Sequence, residues 1–494
     1  MQAVFQIHES DNVGVVIVPR MQAGSCFSIG GATCTALCDV PFGHKVALRD
    51  IPAGSPVIKY GHRIGFASQP IRRGEWVHSH NLKTALSGTE DYIYTPDTDC
   101  VCAECTDTFL GYARQDGSVG IRNELWVLPM VSCVNHTAQM IVDAFREKHG
   151  EARDIFAMQQ PFGCSQLGED HEATVRILRD LATHPNVGGV ILLSLGCENN
   201  VMDTFLEGLP AHAPERVLPL VCQKSEDEIT DGVALLEQLR AVTAADVRTQ
   251  QPLSKLRVGF KCGASDAFSG ITANPLAGRL CEMLVRHGAS AAMTEVPEMF
   301  GAETQLMNRA ADEQVFRDVV SLINDFKQYY ISHGQPVYEN PSPGNKEGGI
   351  TTLEEKSLGC IQKGGRCRVD GVVPYGGKLR SAGLNLICGP GNDPVAITTM
   401  AAAGCQLMIF TTGRGNPLGS VVPTIKLASN APLAARKSAW IDFSAAEVLQ
   451  TRDFSALSEA LYRLVLQTAN GEYRTRSEIA GYKEIGIFKN GVTL

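Results

Sequence analysis

The pattern of apolar and polar positions changes character twice along the chain. Up to about residue 85, short apolar runs such as Val13-Gly14-Val15-Val16-Ile17-Val18, Lys45-Val46-Ala47-Leu48 and Pro56-Val57-Ile58-Lys59-Tyr60 are cut by glycine and proline. Runs of this length between turn residues predict an all-β unit. Residues 86–110 are polar, carry Thr95-Pro96-Asp97-Thr98-Asp99, and read as a linker. From about 111, apolar runs alternate with segments of helical period, which predicts a mostly parallel, Rossmann-like α/β architecture. The spacing predicts a helix over 171–184 ended by Pro185, then a strand into Cys197. A boundary is expected near Thr249-Gln250-Gln251-Pro252, with strand 256–260, helix 275–287, strand 290–294 and helix 304–331 beyond it. A last unit follows, with strands over 384–388 and 406–410 and a helix starting at Pro394. The expected division is therefore a β domain over 1–85, a linker over 86–110, and α/β parts over 111–250 and 251–494.

Several apolar runs end in a cysteine beside glycine or a small polar residue: Cys133, Cys164, Cys197, Cys262 and Cys360. Ligands of open α/β sheets gather beyond the carboxyl ends of the strands, so this pattern delivers thiols to a candidate site. One buried thiol alone is ordinary core. Five on separate segments favour a metal, since thiolates suit iron–sulfur clusters and mixed Cys/His/carboxylate sets suit divalent iron. Cys100-Val101-Cys102-Ala103-Glu104-Cys105 resembles half of a zinc site but has no second pair at the usual spacing.

Composition narrows the partners. The formal charge of −9 argues against nucleic acid or an anionic membrane. No apolar run reaches the length of a membrane span and the first residues lack a secretory pattern, so a cytoplasmic protein with reduced thiols is expected. The 16 cysteines then serve as free thiols or ligands rather than disulfides.

His78-Ser79-His80 follows a strand-like segment, where alternation sets both imidazoles on one face for metal binding or proton transfer. The loops Gly389-Pro390-Gly391-Asn392-Asp393 and Thr411-Thr412-Gly413-Arg414 let backbone approach a ligand, and Arg414 can clamp a carboxylate. Glu354-Glu355-Lys356 sets acids and a lysine ahead of Cys360; charge pattern alone makes it an exposed helix start. The stretch 339–349, rich in glycine and proline, is too long for a simple turn.

With these strings in hand, the chain resembles the altronate/galactarate dehydratase family from end to end. Carrying strings are Gly43-His44-Lys45-Val46-Ala47-Leu48, Gly163-Cys164-Ser165-Gln166-Leu167-Gly168, Gly196-Cys197-Glu198-Asn199-Asn200, Thr294-Glu295-Val296-Pro297-Glu298-Met299-Phe300-Gly301 and the run from Ser342 to Lys363. The resemblance implies an N-terminal SAF (β-clip) domain ahead of the α/β domains. It further implies a hydro-lyase of sugar-acid metabolism that takes D-altronate to 2-dehydro-3-deoxy-D-gluconate in galacturonate breakdown. The cofactor expected is Fe(II) or Mn(II), with an iron–sulfur cluster as the second choice, and the assembly expected is a homodimer. On this footing His78, His80 and Lys356 are the expected proton-transfer groups. His44, Asn345, Lys346 and Arg414 would hold the substrate, and Cys164, Cys197 and Cys360 the metal. Another aldonate or aldarate such as galactarate is the alternative substrate, and a non-catalytic sugar-acid binder the alternative role. Two departures stand out: Gln160 replaces the family's histidine four residues before Cys164, and Ala264 replaces a glycine.

Overall fold

The computed structural model describes residues 3–104, 107–150, 152–210 and 215–494, so Cys105 lies outside the described residues. The N-terminal region is strand-rich. An antiparallel sheet joins Val4–Phe5, Val13–Val16, Lys45–Ala47 and Trp76–Val77, and a second joins Pro56–Lys59, His62–Ala67 and Leu82–Lys83. Their inward side chains are continuous with the C-terminal core: Val13, Ala47, Val57 and Ile64 share one cluster with Val258, Phe260 and Leu358.

The polar stretch after this region is not a free tether. Tyr92 and Tyr94 donate their hydroxyls to Glu303 and to the Ala310 carbonyl, and Val101 bridges to Cys367. Thr108–Ala113 is a strand and pairs antiparallel with Thr249–Pro252. The polar sequence 249–252, expected as a boundary, thus becomes an edge partner, because its backbone groups are satisfied by a distant strand that no local pattern announces.

Two parallel sheets follow. The smaller runs Ile155–Ala157, Glu124–Pro129, Val187–Ser194, Val217–Val221. All eight residues of Val187–Ser194 are buried, as a strand covered on both faces requires. The larger runs Val369–Val373, Gly383–Ile387, Ser290–Met293, Arg257–Cys262, Leu407–Thr412, Thr424–Ala428, Phe443–Ser444. Every neighbouring pair in it is parallel. The chain enters at Arg257–Cys262, builds to one side, then crosses to the other. Arg257–Cys262 is therefore the strand at which the order reverses, and a crevice opens beyond its carboxyl end.

Two helices differ from expectation. The run 304–331 splits into Glu303–Met307 and Glu313–Ser332, because Asp312 caps a new start by accepting from the Val315 NH. Leu353–Cys360 is buried along its whole length, not exposed at its charged start. Its charges are tolerated inside because Glu355 and Lys356 are ion-paired and Glu354 accepts from the Thr84 hydroxyl and the Ala85 NH.

Candidate active site

The reversal strand ends in Cys262, whose thiol meets two other buried donors. Cys262 Sγ lies 3.3 Å from Cys360 Sγ, and each sulfur is 3.2 Å from Glu298 Oε2. Among the described residues these three make the one group whose donor atoms all fall within 4.8 Å of one another. Cys360 ends the buried helix Leu353–Cys360, which Thr352 caps by accepting from the Glu355 NH. Glu298 stands in a single turn, Val296–Met299, entered through Glu295 at φ +67°. A non-glycine residue held left-handed is strained, and such residues collect where a site must be shaped.

Three lysines surround the group. Lys363 Nζ is 2.9 Å from Cys262 Sγ and 3.3 Å from Glu295 Oε2. Lys356 Nζ is 2.8 Å from Glu298 Oε1 and donates to Asn340 Oδ1 at 2.9 Å and Asn345 Oδ1 at 3.2 Å. Lys261 pairs with Glu295 at 3.2 Å and with Asp393, which also accepts from Asn416 Nδ2 at 2.7 Å. Burial favours a neutral Glu298, but the charges of Lys356 and Lys363 outweigh it and hold its carboxyl at about 2. Burial opposes the charge on Lys356 as well, yet Glu298 outweighs that and lifts its ammonium above the ordinary lysine range. The Cys360 thiol is held well above its usual range by the hydrogen bond it shares with Cys262 and by burial. A metal ion entering here must first displace that proton.

Cys262 and Glu298 of this group form part of the wall of a cavity of about 660 Å³ that Ser265, Asn345, Lys346, Lys356 and Asp393 also line. Its outer wall is the stretch 339–349, where Ser342 and Asn345 form a capping box on the short helix Pro343–Glu347. Asn345 Nδ2 also donates to the Ser265 carbonyl, tying this wall to the loop after Cys262. The Ser265 hydroxyl is buried without a protein partner.

The expected site residues divide among three places. Lys356, Asn345, Lys346 and Cys360 come together at the cavity or its buried wall. His44 and His78 stand on the far side of the same outer wall, where their Nε2 atoms meet the Glu347 and Lys346 carbonyls at 3.1 and 3.0 Å. Burial of His44 lowers its pKa to about 4. His80 is exposed beside Trp76, and Arg414 binds the Gly344 carbonyl and Glu347 from outside. Neither the three histidines nor Arg414 lines the cavity. Cys164 and Cys197 are exposed on loops of the smaller sheet, apart from the Cys262 group. Gln160 is buried and braces the first of these loops, bonding the Phe162 NH and carbonyl at 2.7 and 2.9 Å.

Sequence reasoning left Glu298 and Asp393 without roles. Glu298 lies in a run with no periodic signal, although it sits inside a string quoted for the family resemblance. Asp393 follows a strand in a glycine-rich loop, the placement that signals a ligand-facing group.

Three family models cover the chain: an altronate/galactarate dehydratase SAF domain over residues 2–85, a D-galactarate dehydratase/altronate hydrolase second domain over 111–244, and a D-galactarate/altronate dehydratase C-terminal domain over 253–493. Altronate dehydratase of Escherichia coli strain K12 is 46% identical over 493 residues, 99% of each chain. Altronate dehydratase of Bacillus subtilis strain 168 is 46% identical over 500 residues, covering both chains in full. Galactarate dehydratase (L-threo-forming) of Escherichia coli strain K12 is 30% identical over 98% of this chain and 96% of its own. No helix among the described residues is long and apolar enough to cross a membrane.

Proposed function

We propose that this chain, which belongs to the D-galactarate/altronate dehydratase family, is a hydro-lyase that removes water from D-altronate to give 2-dehydro-3-deoxy-D-gluconate. The observation that carries the reading is the buried Cys262–Glu298–Cys360 group in the wall of a polar cavity beside Lys356. Altronate is preferred to galactarate because the altronate dehydratases are similar at 46% identity and the galactarate enzyme at 30%.

Two sulfurs and one carboxylate form a mixed donor set that fits a thiophilic divalent ion, and it suits Fe(II) better than oxygen-seeking Mn(II). Cys262, Glu298 and Cys360 would hold the ion, with the Lys363 ammonium 2.9 Å from the Cys262 sulfur. When bound, the ion supplies Lewis acidity toward the substrate's carboxylate and hydroxyl oxygens.

The protein's own groups supply orientation and proton transfer. Lys346 and Asn345 bind the carboxylate and hydroxyls from the outer wall of the cavity. Asp393, a cavity-lining carboxylate outside the metal group that Lys261 and Asn416 hold in place, takes the C2 proton. The charge that builds on the substrate carboxylate is met by the ammonium of Lys356, which Asn340, Asn345 and Glu298 hold in one place. Lys356 Nζ then gives a proton to the departing C3 hydroxyl. His44 and His78 keep this wall in position by bonding its carbonyls.

The test is anaerobic turnover with Fe(II), Mn(II) or Zn(II) across altronate, galactarate and other aldonates, with formation of the 2-keto-3-deoxy acid followed. Turnover of altronate that vanishes in Asp393→Asn supports the reading. Preference for another acid replaces the substrate but keeps the chemistry. Full activity of Asp393→Asn removes that residue as the base.

A further inference from the structure

The two parallel sheets meet at a second cavity, on the side away from the catalytic one. It holds about 860 Å³, more than the 660 Å³ of the catalytic cavity. Arg257 and Cys262 are the first and last residues of the reversal strand, and Arg257 lines this cavity while Cys262 lines the other. The length of that strand sets its two ends roughly 17 Å apart, so these are separate sites. The floor is already satisfied. Gln406 Nε2 donates to the Val119 and Lys255 carbonyls at 2.7 and 2.8 Å, and His184 Nε2 meets the Cys405 carbonyl at 3.1 Å.

The walls are cationic. Arg176 and Arg179 come from the helix Gly168–Ala182, Lys255 and Arg257 from the entry to the larger sheet, and Lys378 and Arg380 from the loop between Val369–Val373 and Gly383–Ile387. Asp116 and Asp180 are the carboxylates among the described lining residues. The helices Gly168–Ala182 and Asp393–Ala402 also end here, and each helix C-terminus brings about half a negative charge. A surplus of roughly three positive charges remains, in a chain of formal charge −9. Part of it is used internally. Lys378 pairs with Asp180 at 2.9 Å, Lys255 donates to the Gly117 carbonyl at 2.9 Å, and Arg179 donates to the Thr204 and Phe205 carbonyls at 2.6 and 3.1 Å. The guanidinium groups of Arg257 and Arg380 have no hydrogen bond or ion pair among the described residues, although Arg257 is half-buried. Gly404, at φ +101°, makes room for the first of these. A Cβ there would stand 2.8 Å from Arg257 Nη1. Backbone thus seats a guanidinium that the protein leaves without a counter-ion, and such a group is disfavoured until an anion meets it.

We infer that this cavity is a second binding site, for a small multivalent oxyanion, bridging the two α/β parts through Arg176 on one side and Arg257 and Arg380 on the other. Planar guanidinium donors match the paired oxygens of a phosphate ester or of a polycarboxylate, and a cavity of this volume holds either. The bound anion ties the helix Gly168–Ala182 to the first residue of the larger sheet's central strand, so it stabilises the junction of the two parts. The inference is independent of which sugar acid the enzyme takes.

The test is calorimetric titration of the full-length protein with inorganic phosphate and with tricarballylate, each against sodium chloride of equal ionic strength. The expected result is saturable binding of a single anion per chain, weakened about tenfold or more in Arg257→Gln and in Arg380→Gln, the scale of one lost charge-assisted pair. The ratio of the two affinities tells a phosphate ester from a polycarboxylate as the ligand. Binding must survive saturating altronate and the Lys346→Gln substitution, which acts on the catalytic cavity; displacement by altronate overturns the second site. A response no greater than that to chloride, or equal affinity in the wild type and both variants, overturns it as well. Arg380 is exposed, so Arg380→Gln decides the matter should Arg257→Gln not fold.

Discussion

Glu355 and Lys356 are neighbours on one buried helix, yet they serve opposite ends of the molecule. Glu355 reaches into the N-terminal region. Its Oε1 accepts from Lys59 at 2.7 Å and from Lys45 at 3.0 Å, and its Oε2 from Lys45, the Thr351 NH and the Thr351 hydroxyl. Every lone pair is taken and all three charged groups are almost wholly buried. Lys356 faces the other way, toward Glu298, the thiols and the cavity. There the polar groups retain unused capacity, as the unpartnered Ser265 hydroxyl shows. A saturated buried network can only hold parts together, whereas one that opens on a cavity can accept a ligand. The two residues thus separate architecture from chemistry within one helical turn.

Breaking this contrast requires the two substitutions to have different signatures. Lys356→Met should lower kcat/KM by about 10³-fold or more, the scale of a lost proton donor and charge stabiliser, and because it unpairs the buried Glu298 it should lower stability as well. Glu355→Gln should spare the chemistry. It strands two buried ammonium groups, so about 3–5 kcal/mol of stability is lost in denaturant unfolding while the folded fraction keeps its kcat. If residual activity simply followed the folded fraction in both variants, the contrast would fail.

Acid should reveal the same division at smaller amplitude. Burial alone would raise the Glu355 carboxyl, but Lys45 and Lys59 outweigh it and hold it far below the usual carboxylate range. Its contribution is therefore complete above the unfolded carboxyl value of ~4.3 and is lost as pH falls below that. His44 acts earlier. Its folded value near 4 lies below the ordinary 6.5, so the unfolded chain binds more protons between these values and stability falls as pH drops through that window. His44→Gln should flatten the slope between pH 6.5 and 4 and leave the steeper loss below pH 4 in place. An unchanged slope would show that the buried His44 imidazole does not control it.

The alternation of strands and helices was readable because buried parallel strands leave long apolar runs such as 187–194, whose period needs no partner to be seen. The Cys262 strand and the loop at Asp393 were placed the same way. What could not be read was any feature decided across distance. Lys45, Lys59 and Glu355 are ordinary surface residues in a sequence, and only the fold brings them together over roughly 300 positions. The same holds for Cys262, Glu298 and Cys360, whose grouping depends on three segments meeting at the strand where the sheet order reverses. Position relative to a strand end marked Cys133, Cys164, Cys197 and Cys262 as one class; only burial divides them into two.

The smallest expected effect concerns a residue on the cavity side of the contrast. Ala264 adopts φ +50°, a left-handed conformation in which a Cβ is strained, and its carbonyl accepts from the Gly413 and Arg414 NH groups at 3.2 and 2.9 Å. Those bonds hold the loop after Cys262 against the strand beside it, so the strain is imposed by the site's architecture and not by local preference. Ala264→Gly removes the strain but frees the unfolded chain, and the balance should be a gain of about 0.5–1 kcal/mol in denaturant unfolding. Because Ala264 lines the cavity, the same change removes a methyl group from the substrate's surroundings and should alter KM more than kcat. A gain in stability with unchanged kcat would place the strain in the scaffold. A fall in kcat would mean that the alanine keeps the loop in the geometry that Cys262 and Lys356 need.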